Sequence, residues 1–124
     1  MNNVTSGTTY TSDYDNYALG TVVVFGGKEE ITISTQLADT RVAGAILFVT
    51  PEIEGRIEAT IAITGNTDCR VVGKIEKGDL LITSSIRGVA VSSKTPVVGS
   101  VLGKALESYN SDHIGTIRIS VGRA

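Results

Sequence analysis

The chain has 124 residues and a mass of 13.0 kDa, which suits a single domain with one hydrophobic core. Val, Ile and Thr make up about a third of it, whereas Trp is absent and Phe occurs only twice. Because β-branched side chains pack well on a pleated sheet, this composition favours an all-β fold. The formal net charge of −2 is spread along the chain, which argues against nucleic acid as a partner.

The sequence also argues against a membrane partner. No apolar run approaches the ~20 residues that a bilayer-spanning helix needs. The N-terminal residues have neither the positive charge nor the apolar stretch of a secretory signal, so a soluble product is expected. The single cysteine, Cys69, cannot form an internal disulfide, and we expect it to pack as a small apolar side chain.

Residues 1–17 are polar and poor in branched aliphatic side chains, so they predict an extended N-terminal arm ahead of a β domain at residues 18–124. Three of the four tyrosines, Tyr10, Tyr14 and Tyr17, lie in this arm. A tyrosine offers a rigid aromatic face with a hydroxyl at its tip, which suits contact with another protein or a sugar. The three are therefore candidate partner-contact residues. The alternative is that they pack the arm onto its own domain.

The first half of the β domain contains short apolar segments separated by turn residues, a pattern typical of a sandwich or barrel of short strands. Thr21–Phe25 and Glu30–Ser34 flank a Gly-Gly pair and predict a β-hairpin. Arg41–Thr50 is the most apolar stretch, and Gly44 within it indicates a bulge or a close backbone approach. We expect Pro51 to end this strand, because proline has no amide hydrogen for the ladder.

The second half continues the same pattern. Ile57–Thr64 alternates apolar and polar residues, and Gly65-Asn66 predicts a turn before the next strand. No segment has enough helix-forming residues to predict a stable helix. Counting all segments, the sequence predicts about nine strands, the remaining ones at residues 69–72, 80–83, 89–91, 97–106 and 114–121.

Residues that could carry chemistry are few. His113 lies in a polar turn, where an exposed side chain is the expected state. Ser84 or Ser85 could be paired with Lys94 as a Ser–Lys dyad, although serine beside a turn is ordinary. The Asp13–Asn16 segment resembles the opening of a calcium loop but lacks its glycine and closing glutamate. We therefore expect a non-enzymatic protein without catalytic, metal-binding or cofactor-binding residues.

Several segments resemble a domain found in structural proteins of tailed phages, especially tail-fibre proteins of marine and cyanobacterial myoviruses. In order and spacing they cover nearly everything from residue 20 to residue 123. Each segment is weak by itself, but their succession along the chain is more specific. The segments are Gly20–Gly27, Asp39–Gly44, Cys69–Gly73, Lys77–Ser84 and Val101–Glu107, followed by a closing strand that ends in Val121-Gly-Arg123.

The resemblance implies a β-rich structural module of a virion, made in the host cytoplasm and carried on a tail fibre, baseplate or appendage. Such a module is expected to form a homotrimer, to contact other virion proteins and to take part in adsorption to a host surface glycan. More distantly, the chain is similar to phage head decoration proteins and to self-cleaving chaperone domains of phage appendages. A head decoration protein, a carbohydrate-binding module and a self-cleaving chaperone therefore remain as alternatives.

Overall fold

The computed structural model describes residues 5–122, and within them it contains nine strands and no helix. The prediction of an all-β, barrel-like single domain is confirmed. The described residues accordingly include no helix long and apolar enough to cross a membrane. The strands are β1 (Ser6–Thr11), β2 (Val22–Phe25), β3 (Ile31–Ile33), β4 (Val42–Ile53), β5 (Arg56–Ile75), β6 (Leu80–Thr83), β7 (Ala90–Ser93), β8 (Val101–Ala105) and β9 (Tyr109–Val121).

Five strands form an incompletely closed barrel, here named the open ring: β1, β2, β3, β4 and the first half of β5. Their order is β3-β2-β4-β5-β1, and every pairing is antiparallel. The two outer strands of this order meet only at one bridge, between Ser12 and Ile31. The Ser12 amide donates to the Ile57 carbonyl of β5, and in an antiparallel pair only every second residue directs its backbone N–H and C=O toward the partner strand. The backbone groups of Thr9, three residues before Ser12, therefore point away from β5. The outer edge of β1 is thus open along most of its length.

The second half of β5 and the strands β6 to β9 form a complete barrel, here named the closed ring. Each strand pairs with two neighbours, in the order β5-β7-β6-β8-β9 and back to β5. The joint between β5 and β7 is the shortest, a single parallel pair of Val71 and Ala90. The circle of pairings is therefore complete, although β7 is paired with β5 at Ala90 alone.

One continuous strand, β5, serves both rings, where the sequence predicted two strands and a turn at Gly65-Asn66. That prediction of a turn is wrong. Gly65 has a φ of 95°, which glycine adopts without steric cost, and β5 changes partners there: Thr64 pairs with β1, while Gly65 pairs with Val121 of β9. The local glycine signal was real, but it marks the change of ring and not the end of a strand.

Pro51 does not end β4, contrary to the expectation from sequence, because β4 continues to Ile53. Beyond Ile46, β4 pairs with β5 on one side only, and proline is tolerated on such an edge. The chain turns instead at Glu54-Gly55. Gly44 does mark a bulge and a close approach, as predicted: the ladder with β2 shifts there, and a Cβ on Gly44 would lie 2.8 Å from the Ala62 carbonyl oxygen.

Strand count agrees with the prediction although its members differ. Ile57–Thr64 and Cys69–Val72 merge into β5, whereas Ser6–Thr11, assigned from sequence to the extended arm, is strand β1 and pairs with β5. The arm is therefore partly built into the open ring, from Ser6 to the bridge at Ser12. Its first four residues lie outside the described part of the chain.

Two clusters of buried side chains fill the rings, and both consist of small and medium aliphatic residues, as the composition predicts. The smaller cluster fills the open ring with Val23, Ile31, Ile46, Ala59 and Ile61. The larger cluster fills the closed ring and extends to β2 through Val22 and to the first half of β5 through Ala62. Its other members are Cys69, Val71, Ile75, Leu81, Ala90, Leu102, Ala105, Ile117, Ile119 and Val121.

Candidate functional site

The three candidate tyrosines of the arm lie in different environments. Tyr10 and Tyr17 pack against the core of the open ring, and the Tyr10 ring meets Phe25 edge-to-face at 5.1 Å between centroids. Tyr14 is 49% exposed and contacts Tyr17 edge-to-face at 5.0 Å. The packing alternative thus describes Tyr10 and Tyr17, and Tyr14 is the member of the set with a free aromatic face.

Asp13 fastens the tyrosine segment, residues 12–18, onto the open ring. Its Oδ1 accepts a hydrogen bond from the Tyr17 hydroxyl at 2.6 Å, and its Oδ2 accepts one from the Thr32 hydroxyl of β3 at 2.7 Å. Burial, followed by the hydrogen bond to Asp13, raises the pKa of Tyr17 to about 12. Each carboxylate oxygen thus accepts a hydrogen bond from a different segment, so Asp13 serves as a structural latch.

A cleft of about 560 Å³ opens between the tyrosine segment and the place where the two rings join. This volume lies within the range of small-molecule binding sites, roughly 300–1,000 Å³. One wall is the tyrosine segment, and the opposite wall carries arginines from the closed ring. The lining residues are Asp13, Tyr14, Asn16, Tyr17, Ala18, Thr21, Ile33, Arg70 and Arg87.

The cleft carries two arginines without a carboxylate partner. Among residues 5–122 the other three arginines each pair with an acid: Arg41 with Asp39, Arg56 with Glu58 and Arg118 with Asp68. Arg70 and Arg87 form no such pair within the described chain. The backbone of Arg70 is fixed, since its amide donates to the Gly20 carbonyl at 3.0 Å, and Arg87 lies on the exposed loop after β6. The cleft is thus a locally positive site on a chain of net negative charge.

Sequence reasoning missed both arginines. Arg70 follows Cys69 in the middle of β5, and Arg87 lies 17 positions later in a turn between β6 and β7. No short motif links them, and each resembles an ordinary exposed charge. A weak signal was available in the alternation of β5, where Cys69 and Val71 point inwards and Arg70 outwards.

The Ser–Lys dyad considered from sequence is not assembled. Ser84 lies next to Thr83, which pairs with Ala90, whereas Lys94 follows Ser93, which pairs with Leu80 at the other end of β6. The four residues of β6 lie between the two positions, a separation of roughly 16 Å. The Lys94 ammonium instead lies 2.9 Å from an oxygen of Asp79, and the Ser84 hydroxyl donates within its own turn, at 2.6 Å from the Val89 carbonyl.

The remaining candidates for chemistry occupy ordinary positions. His113 is exposed in a bulge of β9 opposite Val72, within the strand and not in a turn before it. Asp13 is engaged as the latch, and within residues 5–122 no three acids, histidines or cysteines cluster as metal ligands do. Cys69 is fully buried in the closed ring, and burial raises the pKa of its thiol to about 12.

A second surface feature lies at one end of the closed ring, where loops meet beside the end of β6. The Thr83 carbonyl accepts a hydrogen bond from the Ala38 amide, and the Thr83 hydroxyl donates one to the Gln36 carbonyl. These bonds bring loop 35–40 next to loop 84–89. Val101 pairs with Ile82 of the same strand. We name these two loops, together with the loop that leads into β8, the apolar end. Their exposed apolar side chains are Leu37, Ile86, Val97, Val98 and, at the start of β8, Val101.

The apolar end has few charges. Residues 95–103 contain no charged side chain, and Asp39 in loop 35–40 is buried and paired with Arg41; loop 84–89 carries one exposed charge, Arg87. Val98 is 95% exposed, the highest value among the large apolar residues. Exposed apolar groups that cluster on one surface, and are not scattered singly, are typical of interaction sites.

Comparison with protein-family models and with curated proteins finds no match for the chain.

Proposed function

We propose that the chain is a non-enzymatic structural module of a tailed-phage virion, located in a tail fibre, baseplate or appendage, and that it assembles as a homotrimer. Two arguments support this proposal: the succession of phage-like segments from residue 20 to residue 123, and the apolar end. The apolar end is the single observation that supports assembly, because burying water-exposed valine, leucine and isoleucine against a partner lowers the free energy.

The partner that best suits the apolar end is another copy of the same chain. Identical surfaces brought together repel one another when they carry like charges, and the stretch from residue 95 to residue 103 carries none. Around a three-fold axis the same loops from each copy meet at the axis, so that one patch per chain is sufficient for a closed trimer. In a virion, other structural proteins would then contact the remaining surfaces, and the cleft would face the host surface.

Sedimentation velocity at tens of micromolar tests the assembly. The native chain is expected to sediment as a species of three times the 13.0 kDa chain mass. Val98→Lys should weaken the association at least tenfold, because it places a charge in an apolar contact. Ile53→Lys is the matched control: Ile53 is 62% exposed on the β4–β5 hairpin, away from the apolar end, and its substitution should leave the trimer intact.

A strictly monomeric native chain, or equal effects of Val98→Lys and Ile53→Lys, would contradict the proposal. A head decoration protein would self-associate in the same way. The genes next to this one distinguish the two locations, since tail genes would support a fibre or appendage and capsid genes would support decoration.

A further inference from the structure

We propose that the cleft between the tyrosine segment and the closed ring binds a short acidic saccharide, one that carries carboxylate or sulfate groups. This inference deepens the adsorption role and depends on the proposed function only for its biological setting. Every wall of the cleft comes from one chain, so binding does not require the trimer.

Charge is the first argument. Arg70 and Arg87 both line the cleft, and neither has an acidic partner in the described chain. A guanidinium presents a planar fork of N–H donors that matches the two oxygens of a carboxylate or sulfate. The one acid in the cleft, Asp13, already accepts hydrogen bonds with both oxygens. The formal charge of the lining side chains is therefore +1, from two arginines and one carboxylate, which favours an anionic ligand.

Tyr14 gives the cleft an aromatic wall. Tyr14 is 49% exposed, and its ring is held by Tyr17, which the Asp13 latch fixes in turn. The Tyr14 amide also lies 3.3 Å from the Ser12 hydroxyl, which fixes the backbone of the segment. A pre-positioned tyrosine face suits the apolar face of a sugar ring, and its hydroxyl suits the polar rim. Stacking therefore costs little ordering of the protein on binding.

The combination of these walls selects the ligand class. The Asn16 side chain offers both a donor and an acceptor for sugar hydroxyls. A flat apolar ligand would leave the two arginines unpaired, and an inorganic anion would leave the tyrosine face empty. A saccharide with an acidic group uses the guanidiniums, the aromatic face and the amide together. The volume of about 560 Å³ limits the bound part to a few sugar rings.

Isothermal titration of the full chain with a galacturonic acid trisaccharide tests the inference, with its methyl ester as the neutral control. We expect the acid to bind at least tenfold more tightly than the ester, and the binding to weaken as salt is added. A sulfated neutral trisaccharide forms a parallel arm that distinguishes the two acidic groups; binding in either acidic arm supports the proposal. Sedimentation of the same samples reports the oligomeric state, so a failure of assembly is distinguishable from a failure of binding.

Variants assign the binding to the cleft. Arg87→Gln and Arg70→Gln should each weaken the acid about tenfold or more. Arg56→Gln, which removes an arginine from the hairpin tip, is the matched control and should have no effect. Tyr14→Ala should weaken binding about two- to tenfold. Arg87 lies on an exposed loop, so its variant retains the fold even where Arg70→Gln does not.

Three results would overturn the proposal. The first is the absence of any binding heat when either acidic trisaccharide is titrated into the chain. The second is equal binding of the acid and its ester, or equal effects of Arg87→Gln and Arg56→Gln. The third is a trinucleotide that binds more tightly than the acidic trisaccharides, which would assign the cleft to phosphate-bearing ligands.

Discussion

The two rings share β5 but close in different ways. The closed ring is joined by four backbone ladders and by the single β5–β7 pair, and it encloses most of the larger core cluster. In the open ring, the β1 and β3 sides are joined by one backbone bridge and by hydrogen bonds to two carboxylates. Glu30 accepts one from the Thr11 amide, and Asp13 accepts one from the Thr32 hydroxyl. Backbone ladders therefore hold both rings, but the gap between the outer strands of the open ring is spanned mainly by polar side chains.

This difference separates stability from function. Regions with few buried apolar contacts and exposed hydrogen bonds open at lower free energy than a core, and binding sites are drawn from such regions. The wall of the cleft that carries Tyr14 belongs to the side-chain-fastened half, whereas Arg70 and Arg87 are attached to the closed ring. The aromatic wall and the cationic wall of the cleft therefore belong to different halves of the molecule.

The largest effect is expected from the core of the closed ring. Leu81→Ala removes a fully buried side chain and should lower the free energy of unfolding by about 3 kcal/mol. Urea titration followed by circular dichroism and by tyrosine fluorescence measures it. Since both rings contain β5, the two signals should give one coincident transition. Ile53→Ala, at an exposed position on the β4–β5 hairpin away from the apolar end, should change the stability by less than about 0.5 kcal/mol. Separate transitions for the two signals would show that the rings unfold independently.

A smaller and more local effect is expected from the latch. Asp13→Asn keeps one acceptor oxygen but loses the other and the negative charge, so stability should fall by about 1 kcal/mol. Hydrogen exchange should accelerate at the amides of Thr8 and Tyr10 in β1, while the amide of Ile119 in β9 stays protected. The reaction of the buried Cys69 thiol with a disulfide reagent should remain slow for the same reason.

The matched control for the latch is Asp15→Asn. Asp15 is exposed, and its substitution should change neither the exchange rates nor the stability. Faster exchange throughout β5 to β9 in Asp13→Asn would contradict the separation of the two rings, because it would mean that the latch supports both.

The smallest effect is expected in the pH dependence of stability, through the carboxylate of Asp79. Hydrogen bonds from the Glu76 amide and, to a lesser degree, from the side chains of Ser92 and Lys94 lower the pKa of Asp79 to about 2. An unperturbed aspartate has a pKa of about 3.9. Because the folded pKa is the lower one, Asp79 stabilises the fold fully above pH ~4, and this contribution is lost as the pH falls from about 4 to about 2. The melting temperature of the native chain should therefore exceed that of Asp79→Asn at pH 7, and the difference should shrink below pH 4. A constant difference down to pH 2 would contradict the assignment.

Much of the fold was readable in the sequence. A composition rich in Val, Ile and Thr determines that the chain forms sheet, because stiff β-branched side chains pack well on a pleated surface. Local turn chemistry also placed the hairpin at Gly26-Gly27 correctly. These features depend on neighbours a few residues apart, so the local sequence is sufficient to predict them.

The tertiary structure alone decided how the strands combine. Tyr10 of β1 pairs with Ala59 of β5, and Gly65 changes the partners of β5, although neither event has a local signature beyond a polar run and a glycine. The cleft shows the same limit, since Arg70 and Arg87 are brought to the tyrosine segment only after both rings have formed. Backbone pairing depends on hydrogen-bonding groups that every residue carries, so the sequence marks which segments become strands, and long-range packing selects their partners.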